Sequence, residues 1–101
     1  MKVVRLPQAL VDLVEIAEYI AQDDIEVADR FFDAFEETIE RLRHSPKIGS
    51  PRKHQNNVDV RMSFIRGFEN CLIFYTENAD EIVILRIIHS ARDYTRFIGE
   101  Q

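Results

Sequence analysis

The spacing of apolar residues changes period once along this chain, near His44-Ser45-Pro46, and that change limits the possible folds more than any other feature. Before it, Leu10, Leu13, Ile16, Ala17 and Ile20 recur at intervals of three and four, which places them on one stripe of a helix opposite Asp12, Glu15 and Glu18. Ala28, Phe31, Phe35, Ile39 and Leu42 form a second stripe of the same kind. Pro7 suits the first turn of the first helix, and Asp23 with Glu26 three residues later has the form of a capping box opening the second. Only Ile20 to Asp24 joins the two stripes, so the helices must run antiparallel as a hairpin.

Beyond the change, Val58 to Ile65, Cys71 to Thr76 and Glu81 to His89 are rich in β-branched and aromatic residues. The connections Arg66-Gly67-Phe68-Glu69 and Glu77-Asn78-Ala79-Asp80 are short enough to force antiparallel neighbours. Lys47 to Asn57, with Gly49 and Pro51, reads as a polar loop, and Val3, Val4 and Leu6 as a short β-prone start. The run Ile82 to Ile88 is broken only by Arg86 and reads as a central strand covered on both sides. Two apolar stripes need a sheet to cover them. The expectation is an α+β fold, a helical hairpin packed on an antiparallel β-sheet in the order β-α-α-β-β-β, with a short C-terminal helix near Ala91 to Ile98. Residues 1–101 form a single domain in this reading. At this length folding buries roughly 65% of the unfolded chain's surface.

The net charge of -5 hides a segregation along the chain. From Gln8 to Glu40 eleven acids stand against Arg30 alone, whereas from Arg41 to Arg66 seven bases stand against Asp59 alone. Such asymmetry suggests two surfaces with different partners, although an acidic run is more often a plain solvated face. Between Lys2 and Arg5 there are only two apolar residues, so no signal peptide or membrane span is expected and the chain should stay in the cytoplasm. Cys71 is the one cysteine; it excludes an internal disulfide and reads as a small buried hydrophobe. His44, His54 and His89 lack metal-ligand spacing, and three glycines in total leave no phosphate-cradling loop. No metal and no cofactor are expected.

Strand alternation sets Val58, Val60, Met62 and Phe64 toward the helices and Asp59, Arg61 and Ser63 outward, so Arg61 is a candidate for contact with a target. Arg86, amid apolar neighbours, needs a counter-charge, for which Asp93 and Asp59 are candidates. Ser90-Ala91-Arg92-Asp93 has the shape of a helix cap. With His89 just before it and Tyr94 just after, the Arg and His groups would gather on one exposed patch at the far end of the sheet. RNA cleavage by the 2'-hydroxyl would need a base, cations for the phosphorane and an acid for the leaving oxygen. Arg61 and Arg86 could hold the phosphate, His89 could exchange the proton, and Tyr94 or Lys53 could donate one.

Several segments together resemble the RelE/ParE toxin superfamily over essentially the whole chain. Ala9 to Ile20 is similar to its opening helix, Leu42 with Ser45-Pro46-x-x-Gly49 to its helix exit, and Val60-Arg61 to the start of its meander. Ile73-Phe74-Tyr75 resembles its central strand, and Ile84 to Asp93, reading Ile-Leu-Arg-Ile-Ile-His-Ser-Ala-Arg-Asp, the ending typical of the ParE branch. Cys71 stands where many members carry Tyr, and the pI near 5.1 is acidic where ribosome-directed members are basic. The resemblance implies a toxin of a type II toxin-antitoxin system that binds DNA gyrase, traps it on cleaved DNA and performs no chemistry itself. Arg61, Arg86, His89 and Arg92 would then touch the target. It also implies a cognate, ParD-like, DNA-binding antitoxin whose amphipathic tail lies along the hairpin, with Leu13, Ile16, Ile20, Phe32 and Phe35 as candidate contacts. An acidic hairpin would favour Lys and Arg in that tail. Two alternatives stay open: a ribosome-dependent mRNA endonuclease of the RelE type, using Arg61, Arg86, His89 and Tyr94, and a non-toxic module that only binds an antitoxin.

Overall fold

The computed structural model describes residues 1–53 and 59–90. Strand β1 (Lys2–Arg5) leads into helices α1 (Pro7–Ala21) and α2 (Ile25–His44). Four strands follow, β2 (Ser50–Lys53), β3 (Asp59–Ile65), β4 (Phe68–Glu77) and β5 (Glu81–His89). They form one five-stranded sheet in the order β1-β5-β4-β3-β2. The hairpin, the meander and their order follow the expectation. The short C-terminal helix expected near residues 91–98, and Val58, lie outside the described residues.

Two features extend the expected sheet. Ser50–Lys53, expected as loop, pairs antiparallel with Met62 to Asp59 and makes an edge strand. Its sequence, Ser-Pro-Arg-Lys, carries none of the usual strand residues; an edge tolerates Pro and charge, which discourage further pairing. β1 pairs parallel with β5, Val3 opposite Ile82 and Arg5 opposite Ile84. The helical hairpin supplies the crossover that a parallel pair requires. Arg5 then grips Glu36 of α2 with both ends of its guanidinium, at 2.6 and 2.8 Å.

Helix α1 begins with Pro at its first position, where the missing N–H is no loss. The cap of α2 is Asp24, one residue later than the capping-box reading of Asp23: its carboxylate accepts from Glu26 N and Val27 N. Arg41, Arg43 and His44 in the last turn complement the negative end of the helix dipole.

The core lies between hairpin and sheet. Phe31, Phe35, Ile39 and Leu42 of α2 and Leu13, Ile16 and Ala17 of α1 pack on Ile65, Cys71, Ile73, Tyr75, Ile84 and Ile87. Phe31 is fully buried and meets Phe68 edge-on at 5.3 Å, and burying such a ring stabilises the fold by about 2–3 kcal/mol. The buried stripe of α1 is turned from the expected phase: Ala9 and Asp12 are inside, while Leu10 is 44% exposed.

Strand β3 is inverted relative to the expectation. Arg61 and Ser63 stand opposite Tyr75 and Ile73 on the helix side, and Met62 and Phe64 opposite Phe74 and Leu72 on the other. Val60, Leu72, Phe74 and Ile88, with Met62 and Leu85, make a second apolar cluster on that other face. Alternation separates the two sets, but with both sets apolar it does not say which set the helices cover.

Candidate functional site

The pairing of β4 with β5 shifts register between Phe74, opposite Arg86, and Tyr75, opposite Ile84. Leu85 is thus an extra residue, a bulge, and bulges re-aim side chains. Strict alternation from Ile82 and Ile84 would drive Arg86 into the core. The bulge puts Ile87 there instead and leaves Arg86 at the sheet edge beyond the end of β1. There its Nε donates to Asp12 Oδ2 at 2.7 Å and its Nη2 to Asp12 Oδ1 at 3.1 Å. Asp12 also accepts from Ile87 N at 3.0 Å and from Gln8 Nε2 at 3.0 Å. One carboxylate, 5% exposed, therefore holds an arginine, caps a backbone N–H that β1 is too short to reach, and ties α1 to β5. Helical periodicity alone sets Asp12 on the solvent side, so the counter-charge is not legible there. Asp93, a sequence candidate for this partner, lies outside the described residues.

Arg61, expected to face outward, is turned inward and only 23% exposed. Its Nη1 donates to the carbonyls of Gly49 at 2.8 Å and Lys47 at 3.1 Å, and its Nε to Glu77 at 3.3 Å. Next to it the Tyr75 hydroxyl donates to Pro46 O at 2.7 Å and accepts from Gly49 N at 3.0 Å. The Ser45-Pro46-x-x-Gly49 element is thus a loop pinned from beneath by a phenol and a guanidinium. Glycine is needed at 49 because a Cβ there would stand 2.6 Å from the Tyr75 hydroxyl. Burial pushes the Tyr75 hydroxyl above its ordinary range despite the Gly49 bond. At Glu77 burial acts upward, but hydrogen bonds and charge from Lys47 and Arg61 outweigh it and hold the carboxyl below its ordinary range. An open cleft of about 460 Å³ runs alongside, lined by Arg52, Asp59, Val60, Arg61, Thr76 and Glu77.

His89 ends β5 opposite Cys71, half-buried beside a groove of about 360 Å³ lined also by Ile16, Tyr19, Ile20, Phe68 and Cys71. Burial raises the Cys71 thiol to about 11, and so the thiol is a poor nucleophile. Arg61 and His89 do not meet. They stand on strands two apart, at the levels of Tyr75 and Cys71 of β4, which places their backbones about 16 Å from each other at ordinary strand spacings. The expected single patch of Arg61, Arg86 and His89 is therefore split between the β2–β3 side and the β5 edge. Arg92, Tyr94 and the Lys53 side chain lie outside the described residues.

Of the five hairpin residues expected to meet an antitoxin, Leu13, Ile16 and Phe35 pack in the core; Ile20 is half-buried and Phe32 is 38% exposed. The hairpin's accessible apolar side chains include Leu10, Val11, Val14 and Tyr19. Leu10, Val11 and Val14 are adjacent on the outer face of α1; lying outside the expected core stripe is a sequence signal for Val11 and Val14, whereas Leu10 is exposed only because the stripe is turned. Among the described residues no helix is long and apolar enough to cross a membrane, and no group of three or more His, Cys, Asp or Glu could hold a metal ion.

A family model described as the ParE toxin of type II toxin-antitoxin system, parDE, matches residues 3–94. No curated protein matches the chain significantly. Among solved structures, the chromosomal ParDE TA system from P. aeruginosa contains a similar chain, with a TM-score of 0.68 at 22% sequence identity over 88% of this chain and 95% of that one. At that identity the likeness concerns the fold.

Proposed function

Because the chain belongs to the ParE toxin family of type II toxin-antitoxin systems, we propose that it is a toxin acting by binding a protein, DNA gyrase, and that a ParD-like, DNA-binding antitoxin neutralises it in the cytoplasm. The observation that carries this reading is the separation of the polar groups. A nuclease of this fold needs cations and a proton-transfer group within hydrogen-bond reach of one phosphate. Here Arg61 is engaged with two carbonyls and Glu77, Arg86 with Asp12, and about 16 Å of sheet lies between Arg61 and His89. That geometry favours binding over cleavage.

For the target, Arg86 and His89 of β5 remain proposed contacts, as does Arg92, which lies outside the described residues, and Arg61 acts through the loop that it holds. For the antitoxin, Ile20 and Phe32 are the accessible members of the expected set, joined by Leu10, Val11 and Val14. Glu15 and Glu18 are exposed on the same helix, and α1 carries no Lys or Arg; this charge suits an amphipathic tail bearing Lys and Arg.

The test is induction in a bacterial host, with and without the antitoxin encoded beside this gene. The expected result is growth arrest with a DNA-damage response before any loss of mRNA, reversed by the antitoxin. Cleavage of translated mRNA preceding any DNA damage would instead support the nuclease alternative.

A further inference from the structure

We propose that the pinned loop from Pro46 to Gly49 is a rigid mount for Ile48, whose side chain is an anchor entering an apolar, acid-rimmed pocket on the toxin's protein target. The inference rests on the toxin reading above.

Three of the loop's four carbonyls are held from inside the protein. Pro46 O is held by the Tyr75 hydroxyl, and Lys47 O and Gly49 O by Arg61. Gly49 N donates to the Tyr75 hydroxyl and Ile48 N to Ser45 O. Gly49 is buried and has no room for a side chain. With the backbone fixed from below, the Ile48 side chain points outward, 57% exposed. An exposed aliphatic side chain is ordinary by itself; what sets Ile48 apart is the backbone fixed beneath it. A branched side chain on a fixed backbone loses little further entropy on binding, which is what an interface anchor requires.

The surroundings identify the partner's chemistry. Lys47 and Arg61 share Glu77, which lowers the local positive charge. An apolar tip contributes nothing to a phosphate contact, so a protein pocket fits Ile48 better. Lys47, 75% exposed, keeps donors for a carboxylate on that pocket's rim. The loop follows the C-terminus of α2, and the 20 residues of that helix put it about 30 Å from the turn between the helices. Contact with the target here is therefore distant from an antitoxin contact at Ile20, whereas Leu10 and Val11, near the start of α1, lie on the loop's side of the hairpin, so antitoxin affinity is measured beside toxicity.

The test compares Ile48→Asp and Ile48→Leu with the parent chain in three measurements: the intracellular level that arrests growth, affinity for the antitoxin encoded beside this gene, and thermal midpoint. Ile48→Asp should need at least ~30-fold more protein to arrest growth, which corresponds to about 2 kcal/mol at an anchor. Its antitoxin affinity and thermal midpoint should match the parent, and Ile48→Leu should retain toxicity. Full toxicity in Ile48→Asp overturns the anchor and leaves the toxin reading standing. An equal loss of antitoxin affinity assigns Ile48 to the other partner and also overturns it. If the parent chain arrests nothing at any level, the toxin reading itself falls and the anchor falls with it.

Discussion

Replacing Asp12 by Ala tests the account of how α1 is fastened to the sheet. The carboxylate accepts four hydrogen bonds, two from Arg86, one from Ile87 N and one from Gln8. Its loss leaves the Ile87 N–H, which lies in a buried contact, without a partner; such an orphan donor costs ~1–3 kcal/mol. It also takes the Asp12 carboxylate away from Arg86. A fully buried pair broken on one side costs about 3–5 kcal/mol, but the Arg86 side chain is 33% exposed, so water takes up part of that loss. Because the two terms share one carboxylate, the total should be ~3 kcal/mol rather than their sum. In a chain of this size that lowers the thermal midpoint by about 12–24 °C, or moves the urea midpoint by roughly 1.5–2 M. The double variant Asp12→Leu/Arg86→Met should recover part of the loss, since it removes the guanidinium that Asp12 no longer balances while the Ile87 N–H still lacks its Asp12 acceptor. Urea unfolding of the parent, both single variants and the double variant measures each quantity. A loss under ~1 kcal/mol for Asp12→Ala, or strict additivity in the double variant, would refute the reasoning.

Three further outcomes follow from the pinned loop and the core. The Glu77 carboxyl is held below its ordinary value of 4.5 in the folded chain. Its contribution to stability is therefore present above that value and lost as pH falls through the folded one; Glu77→Gln should flatten the acid limb of the stability curve and leave the limb above neutral pH unchanged, as read by urea midpoints against pH. Gly49→Ala should cost ~1–3 kcal/mol, because the new Cβ would displace the Tyr75 hydroxyl from two hydrogen bonds, and Tyr75→Phe should relieve only the hydroxyl's share, since the ring Cε1 at 2.9 Å and Met62 O at 3.0 Å still crowd that Cβ. Cys71, raised to about 11 and 4% exposed, should be alkylated at pH 8 at least ~100-fold more slowly than a free thiol, with the rate restored in urea.

The parts of the fold legible in the sequence are those that local pattern decides. Spacings of three and four gave both helices, Pro7 the start of the first, and the two short connections the β3-β4-β5 meander. What stayed hidden depends on residues distant in the chain. Asp12 looks like one acid among eleven until Arg86, 74 residues later, draws it inward and turns α1 so that Leu10 faces water. Ser50–Lys53 becomes a strand only because β3 offers it a partner, and β1 finds β5 across the entire hairpin. The direction of Arg61 was lost because both faces of the sheet carry apolar clusters. Its actual partners, two loop carbonyls and Glu77, have no signature in the sequence.

The proposed binding to gyrase is measured most directly by DNA supercoiling with purified gyrase in the presence of the purified chain. With the chain bound to gyrase, supercoiling should stop, cleaved DNA should accumulate, and added antitoxin should restore the enzyme. Unimpaired supercoiling at a large excess of the chain, together with cutting of ribosome-bound mRNA by the same preparation, would contradict it.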